Sequence, residues 1–308
     1  MKPAYLLLLL AAQTVWAASY IAMKIGLQSM PPLMVVFLRY FFVLCLFIPF
    51  WIWKGFPKVD IKLIIASLIV GGANFYGSPI LQAHALKYTQ ATDVSFLILI
   101  EPMLTVLMAM LILKEKVSAN LWKVLGLSML GFVLISDIRI SGHQEPLTKL
   151  RVFGNLLFFG SLFFEALCSV TGKYFTKKNK PWDAMGLLMA CGVMFCMSLN
   201  ANEIISFEYA SISTKSWLAI LFLSVGCSIF AYCTWYFVIE KVPVQFVALS
   251  LFLQPVVASI LGYAFLDEVI TLHTIAGGAI IVAALIWWQS IERVTAKRLA
   301  KKLENQLL

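Results

Sequence analysis

The chain has 308 residues, 61% of them hydrophobic and only 13% charged, with a net charge of +9 and a mean hydropathy of +0.90. A soluble domain is about 45–50% apolar and about 25% charged, so an ordinary soluble globular protein is excluded. The positive charge would suggest nucleic acid in a soluble chain, but here it sits in short loops and the C-terminal tail, where it reports membrane topology.

The apolar residues come in ten blocks: 4–26, 32–53, 63–86, 92–113, 121–137, 152–174, 182–202, 216–239, 244–266 and 272–291. A helix needs roughly 20 apolar residues to cross the hydrocarbon core, and the connections "KGFPKVDIK", "KEKVSAN" and "TKKNKP" carry the Lys and Pro of interfacial turns. The expectation is an all-α polytopic membrane protein with ten transmembrane helices. The opening "MKPAYLLLLLAAQTVWA" resembles a signal peptide. Its counterpart in the second half makes it a structural span instead.

Block 1 carries Trp16, Ser19, Tyr20 and Met23 as one helical stripe. Block 2 holds Arg39, read as a structural salt bridge or as a side chain snorkelling to the interface. Block 3, "GGANFYGSPILQAHAL", is unusually polar for a span. Gly71, Gly72 and Gly77 permit close helix approach, and Asn74, Ser78 and Gln82 share a face, with Tyr76 nearby and His84 toward the outer end.

Block 4 contains Glu101-Pro102. A central charge costs about 2.5–3.5 kcal/mol on insertion scales, which makes Glu101 a functional candidate by default; a buried carboxylate can also carry a proton. The bland alternative is a structural role beside the proline. Block 6 sets Glu165 with Cys168, Ser169 and Gly172 at helical spacing, able to bind a cation, carry a proton or pair with Arg39 or His84. Block 8 presents Ser228, Tyr232 and Trp235 on one face, and block 9 contains Gln254-Pro255. Pro102 and Pro255 lack an amide and are expected hinges. The tail "ERVTAKRLAKKLENQLL" suits a basic amphipathic helix at the cytoplasmic surface.

With ten spans both termini face one side. That side collects seventeen Lys and Arg against six on the other, Arg39 aside, which places both termini in the cytoplasm. The six cysteines lie in apolar stretches without metal-ligand spacing, so neither a metal site nor a disulfide framework is expected.

The halves match each other. "ALKYTQATDVSFLILIEPMLTVLMAMLILKEK" aligns with "VIEKVPVQFVALSLFLQPVVASILGYAFLDEV", so that Leu86 meets Ile239, Pro102 meets Pro255 and Glu115 meets Glu268. Earlier, Lys24 meets Lys173 and Pro32 meets Pro181. Five spans per repeat is odd, so the second repeat enters the membrane inverted, an architecture of secondary transporters. The division expected is 1–140 for the first repeat, 151–292 for the second and 293–308 for the cytoplasmic tail.

The order of "VWAASYIAMKIGL", "PPLMVVFLRYFF", "IEPMLTVLMAMLILKEK", "LQPVVASILGYAFLDEVIT" and "IAGGAIIVAALI" resembles the EamA-type members of the drug/metabolite transporter superfamily, up to about residue 291. The resemblance implies transport of amino acids, drugs, nucleotide-related compounds, S-adenosylmethionine or other small metabolites, by proton antiport or exchange. Two departures stand out. Trp16-Ala17 replaces the family's frequent Trp-Gly, and Glu165 stands where block 1 has Trp16.

The functional expectation is a secondary active or exchange transporter of a small organic metabolite (amino-acid-like, aromatic or heterocyclic, S-adenosylmethionine included) in the cytoplasmic (inner) membrane, working by alternating access. The expected substrate-binding residues are Trp16, Ser19, Tyr20, Asn74, Tyr76, Gln82, Glu101, Glu165, Ser228, Tyr232, Trp235 and Gln254. No catalytic residue, metal or cofactor is expected. Partners are the small-molecule substrate, the lipid bilayer and protons, with no nucleic acid, in a monomer or homodimer. The alternatives are a facilitative channel, which needs a ring of equivalent groups, and an intramembrane enzyme, for which no H-E-x-x-H motif or Ser/His/Asp set is visible.

Overall fold

A computed structural model describes residues 3–88, 97–98, 100–114, 119–135, 149–178, 180–254, 256–257, 272, 275–284, 286–288 and 290–291. Among these the regular structure is helical throughout, with no strand. In chain order the helices are α1 (Pro3–Gly26), α2 (Pro32–Lys54), α3 (Ile61–Tyr88), α4 (Ile100–Ile112), α5 (Ala119–Ile135), α6 (Lys149–Lys178), α7 (Pro181–Ser206), α8 (Thr214–Lys241), α9 (Val244–Leu249) and α10 (Ile275–Trp288). Six of these, α1, α2, α3, α6, α7 and α8, are long and apolar enough to cross a membrane. Their bounds fall within a few residues of the apolar blocks. The chain is a multi-pass membrane protein. Glu115, Pro255, Glu268 and the basic tail lie outside the described residues.

The helix ends follow local chemistry. Asp60 caps α3 by accepting the Leu63 N–H at 2.7 Å, and Ser213 caps α8 by accepting the Ser216 N–H at 3.2 Å. Proline opens α2 and α7 at Pro32 and Pro181, where a missing N–H costs no bond. Gly55 ends α2 at φ +93°, a conformation that a side chain would strain.

Two helices contain wider turns at matched places. α3 has a π turn over Ala73–Gly77, and α8 has one over Phe222–Ala231. Such turns shift the hydrogen-bond register by one residue and re-aim side chains, and they recur at functional sites. Ser228 Oγ donates to the Leu223 carbonyl at 2.9 Å inside the second one.

Packing joins the two halves of the chain. α1 lies along α8, α3 along α6, and α2 along α7. α4 packs on α6 and α9, and the short 3₁₀ turn Ser250–Phe252 after α9 packs on α1. α3 also packs on α7, and glycines on both sides of that seam let the two helices approach closely. A Cβ at Gly71 would lie 2.9 Å from Cys191 Cβ, and one at Gly72 2.6 Å from Phe195 Cε2. Across the same seam, a Cβ on Gly192 would lie 2.6 Å from Phe75 Cβ and 2.7 Å from its carbonyl oxygen. Gly77 is not such a site, because a Cβ there would meet nothing nearer than 3.6 Å. Large apolar side chains such as Ile52, Leu111 and Ile205 point outward and are exposed. Lipid tails cover such surface at no hydrophobic cost, whereas water would penalise it by about 25 cal/mol per Å².

Candidate functional site

A central cavity of about 60 Å³ lies between the two halves, lined by side chains from α1, α2, α3, α4, α6, α8 and the segment after α9. Trp16, Ser19 and Tyr20 reach it from α1, and Asn74 and Gln82 from α3. Glu101 comes from α4 and Glu165 from α6. Tyr232 and Trp235 come from α8, and Gln254 from the chain just beyond α9. At roughly 10–15 Å³ per water, the volume is that of a few waters, far below the roughly 300–1,000 Å³ of a site enclosing an organic ligand.

One pole of the cavity is polar. Glu165 Oε1 accepts Gln82 Nε2–H at 2.7 Å and Ser78 O–H at 3.3 Å. The face read from the sequence as Asn74, Ser78 and Gln82 therefore turns toward α6, where the i, i+4 spacing lets Ser78 and Gln82 meet the same carboxylate oxygen. Glu165 pairs with neither Arg39 nor His84 among the described residues. Tyr236, also on the wall, exchanges a 2.9 Å contact with Cys168 Sγ and donates to the Cys168 carbonyl at 3.2 Å.

The other pole is aromatic. Trp16 meets Tyr232 edge-on at 5.1 Å between centroids and Trp235 at 5.3 Å, and its indole N–H donates to the Cys227 carbonyl at 3.2 Å. That carbonyl lies within the π turn of α8. Phe75 continues the stack, 5.2 Å from Tyr232 and 5.3 Å from Tyr40.

The Glu101 carboxyl group is buried and has no hydrogen-bond partner among the described residues. Pro102 sits in the first turn of α4, not in mid-helix. The Ile98 carbonyl that a residue with an N–H at position 102 would bond takes the Glu101 N–H instead, at 3.1 Å. The proline's freed acceptor is thus met by backbone, which leaves the Glu101 side chain to the cavity. Gln254 donates from Nε2 to Gln13 Oε1 at 2.8 Å, and Gln13 donates onward to Ser250 Oγ at 2.8 Å.

Two expected residues stand apart from the cavity wall. Tyr76 accepts Asn200 Nδ2–H at 3.1 Å and stacks on Phe195 at 6.2 Å, facing α7. Ser228 is buried behind Arg39 and accepts its Nε–H at 2.7 Å.

Arg39, expected in a structural salt bridge or snorkelling to the interface, instead lines the cavity wall and has no ion-pair partner among the described residues. It is 6% exposed and faces the cavity, with its guanidinium carbon 5.1 Å over the Tyr40 ring. An ionisable residue within an apolar block was itself the signal. Tyr40 was also missed. Among the described residues its buried hydroxyl has no hydrogen-bond partner, and neither has either side-chain polar atom of Asn74. Within the described residues no group of three or more His, Cys, Asp or Glu side chains could hold a metal ion.

Known proteins resemble this chain in sequence and in fold. A transporter from Archaeoglobus fulgidus, called uncharacterized, is 29% identical over 91% of this chain and 95% of its own length. A probable amino-acid metabolite efflux pump of Salmonella typhimurium is 22% identical over 92% of this chain and 93% of its own. A solved crystal structure superposes with a TM-score of 0.74 at 18% identity, covering 97% of this chain and 99% of the other, a likeness of fold. The model of the EamA-like transporter family matches residues 3–137 and again 152–288. The chain is a membrane transporter and belongs to the EamA-like transporter family.

Proposed function

We propose that this chain is a secondary transporter that moves a small amino-acid-like, aromatic or heterocyclic metabolite by alternating access. It does so with ten spans arranged as two inverted five-helix repeats, residues 1–140 and 151–292. One observation carries this reading: the cavity lies between the halves and is walled by corresponding helices of each. α3 on α6 corresponds to α8 on α1, and α2 on α7 corresponds to itself. The π turns of α3 and α8 fall in the same place of each repeat. Such interlocking supports two states of similar energy, one open to each side. The cavity's few-water volume supports the same view, because an organic solute enters only if the lining helices part.

In this reading both termini are cytoplasmic, the membrane is the cytoplasmic one, and the unit is a monomer or homodimer. Pro102 and Pro255 mark the hinge level. Glu101, its carboxyl group lacking a hydrogen-bond partner among the described residues and sharing the cavity with Glu165, Arg39 and Tyr20, exchanges a proton for the solute. The name of the Salmonella relative favours an amino-acid-like solute.

Purified protein in liposomes tests this. Saturable uptake with exchange of preloaded solute is expected, and currents above carrier rates or conversion of the solute would overturn the reading. Glu101→Gln is expected to flatten the pH dependence of net uptake while leaving exchange in place. An unaltered pH profile removes Glu101 from coupling.

A further inference from the structure

The charged groups of the cavity are not spent on one another. Arg39 has no carboxylate within 4.0 Å among the described residues, and neither Glu101 nor Glu165 has a cation there. Yet Arg39 and Glu165 are each held in a fixed pose. Ser228 spends its one hydroxyl hydrogen on the Leu223 carbonyl, so toward Arg39 it acts only as an acceptor of Nε–H. Tyr40 lies beneath the guanidinium face. A guanidinium has five N–H donors, and with Nε–H used and one face covered, its outer edge is left for a planar, two-oxygen acceptor. Glu165 is fixed through one oxygen only: Gln82 and Ser78 both donate to Oε1, and Oε2 has no partner among the described residues. Asn74, 2% exposed, lines the same cavity, and among the described residues neither its amide N–H donors nor its side-chain oxygen has a partner.

We propose that the cavity clamps the α-carboxylate and α-ammonium groups of an amino acid, with Arg39 as the carboxylate anchor and Glu165 Oε2 as the ammonium acceptor. Asn74 bridges the two, since its amide offers donors to the carboxylate and an acceptor to the ammonium. The wall of Trp16, Tyr232 and Trp235 seats an apolar or aromatic side chain. The same charges select against other classes. An amine without a carboxylate meets Arg39 unpaired, and a carboxylate or phosphate without an amine meets two glutamates. This inference rests on the carrier reading and specifies its substrate.

The test uses L-phenylalanine, chosen because the wall of Trp16, Tyr232 and Trp235 is aromatic, and three relatives: phenylalanine amide, phenethylamine and 3-phenylpropionate. Calorimetry on the detergent-purified full chain is expected to show phenylalanine binding at least about tenfold more tightly than each relative, the scale of a lost charge-assisted hydrogen-bond pair. Arg39→Lys keeps the charge but not the fork. It is expected to weaken phenylalanine at least about tenfold and leave phenethylamine within about twofold. Equal binding of phenylalanine and phenethylamine by the wild-type chain overturns the proposal, whatever the variant's folding. So does a wild-type chain that binds none of the four. In that case, saturable liposome uptake of a nucleoside would leave the carrier reading standing. Binding of phenylalanine without uptake of any solute would instead overturn the carrier reading.

Discussion

The two poles of the cavity occupy equivalent places in the two halves and are built from opposite chemistry. Aligning Lys24 with Lys173 puts Trp16 on Glu165, and aligning Pro102 with Pro255 puts Gln82 on Trp235. The Glu165–Gln82 hydrogen bond between α6 and α3 therefore has as its counterpart the Trp16–Trp235 contact between α1 and α8. The same holds for every charge in the cavity. Glu101 matches Gln254, and under the alignment of Pro32 with Pro181, Arg39 matches Leu188. Backbone and helix contacts repeat while ionisable groups do not. In the function proposed above, repetition serves the motion of the two halves, and departure from it serves recognition of a solute whose two ends differ.

The sharpest way to break this comparison is at the polar pole. Glu165→Leu leaves the Gln82 amide and the Ser78 hydroxyl without their acceptor, at about 1–3 kcal/mol each. Uptake kcat/KM is expected to fall about a hundredfold, with a lower Tm in detergent. Glu165→Gln, which keeps an acceptor oxygen, is expected to recover most of the Tm and little of the uptake. Recovery of both would reduce the pole to a structural pair.

The aromatic pole should respond less. Trp16→Phe keeps the ring contacts but removes the N–H that satisfies the Cys227 carbonyl. At about 1 kcal/mol for one neutral hydrogen bond, KM for uptake is expected to rise about fivefold with kcat unchanged. A fall as large as that of Glu165→Leu would mean that the two poles are equivalent and that charge is not what distinguishes them.

The smallest effect is expected outside both poles. Tyr76→Phe removes the hydroxyl that accepts from Asn200, so stability should fall by no more than about 1.5 kcal/mol and uptake should stay within about twofold of wild type. A large rise in KM would return Tyr76 to the solute path.

Much of the frame was legible before any coordinates. Twenty-residue apolar blocks separated by Lys- and Pro-bearing turns mark α1, α2, α6, α7 and α8 within a few residues, since bilayer thickness acts on each span locally. Glycine density in block 3 pointed to close approach, and Gly71 and Gly72 make it. The i, i+4 spacing of Ser78 and Gln82 was enough to predict a shared face. The same periodicity could have separated Tyr76 from Asn74, since two residues along a helix turn the side chain by about 200°. Arg39 was harder to read. Interface snorkelling and a cavity position look alike in one span, and its partner Ser228 is 189 residues away.

The sequence by itself determined a multi-pass helical membrane protein, the rough extent of its spans and its family resemblance, because hydrophobicity and turn chemistry act over neighbouring residues. Tertiary structure decided the rest. Glu165 takes Gln82 and not Arg39, the Ile98 carbonyl takes backbone and not the Glu101 side chain, and Gln254 joins Gln13. Where a buried polar group finds its partner depends on how the helices cross and where a π turn shifts the register. Those quantities arise between distant segments and leave no period in the sequence.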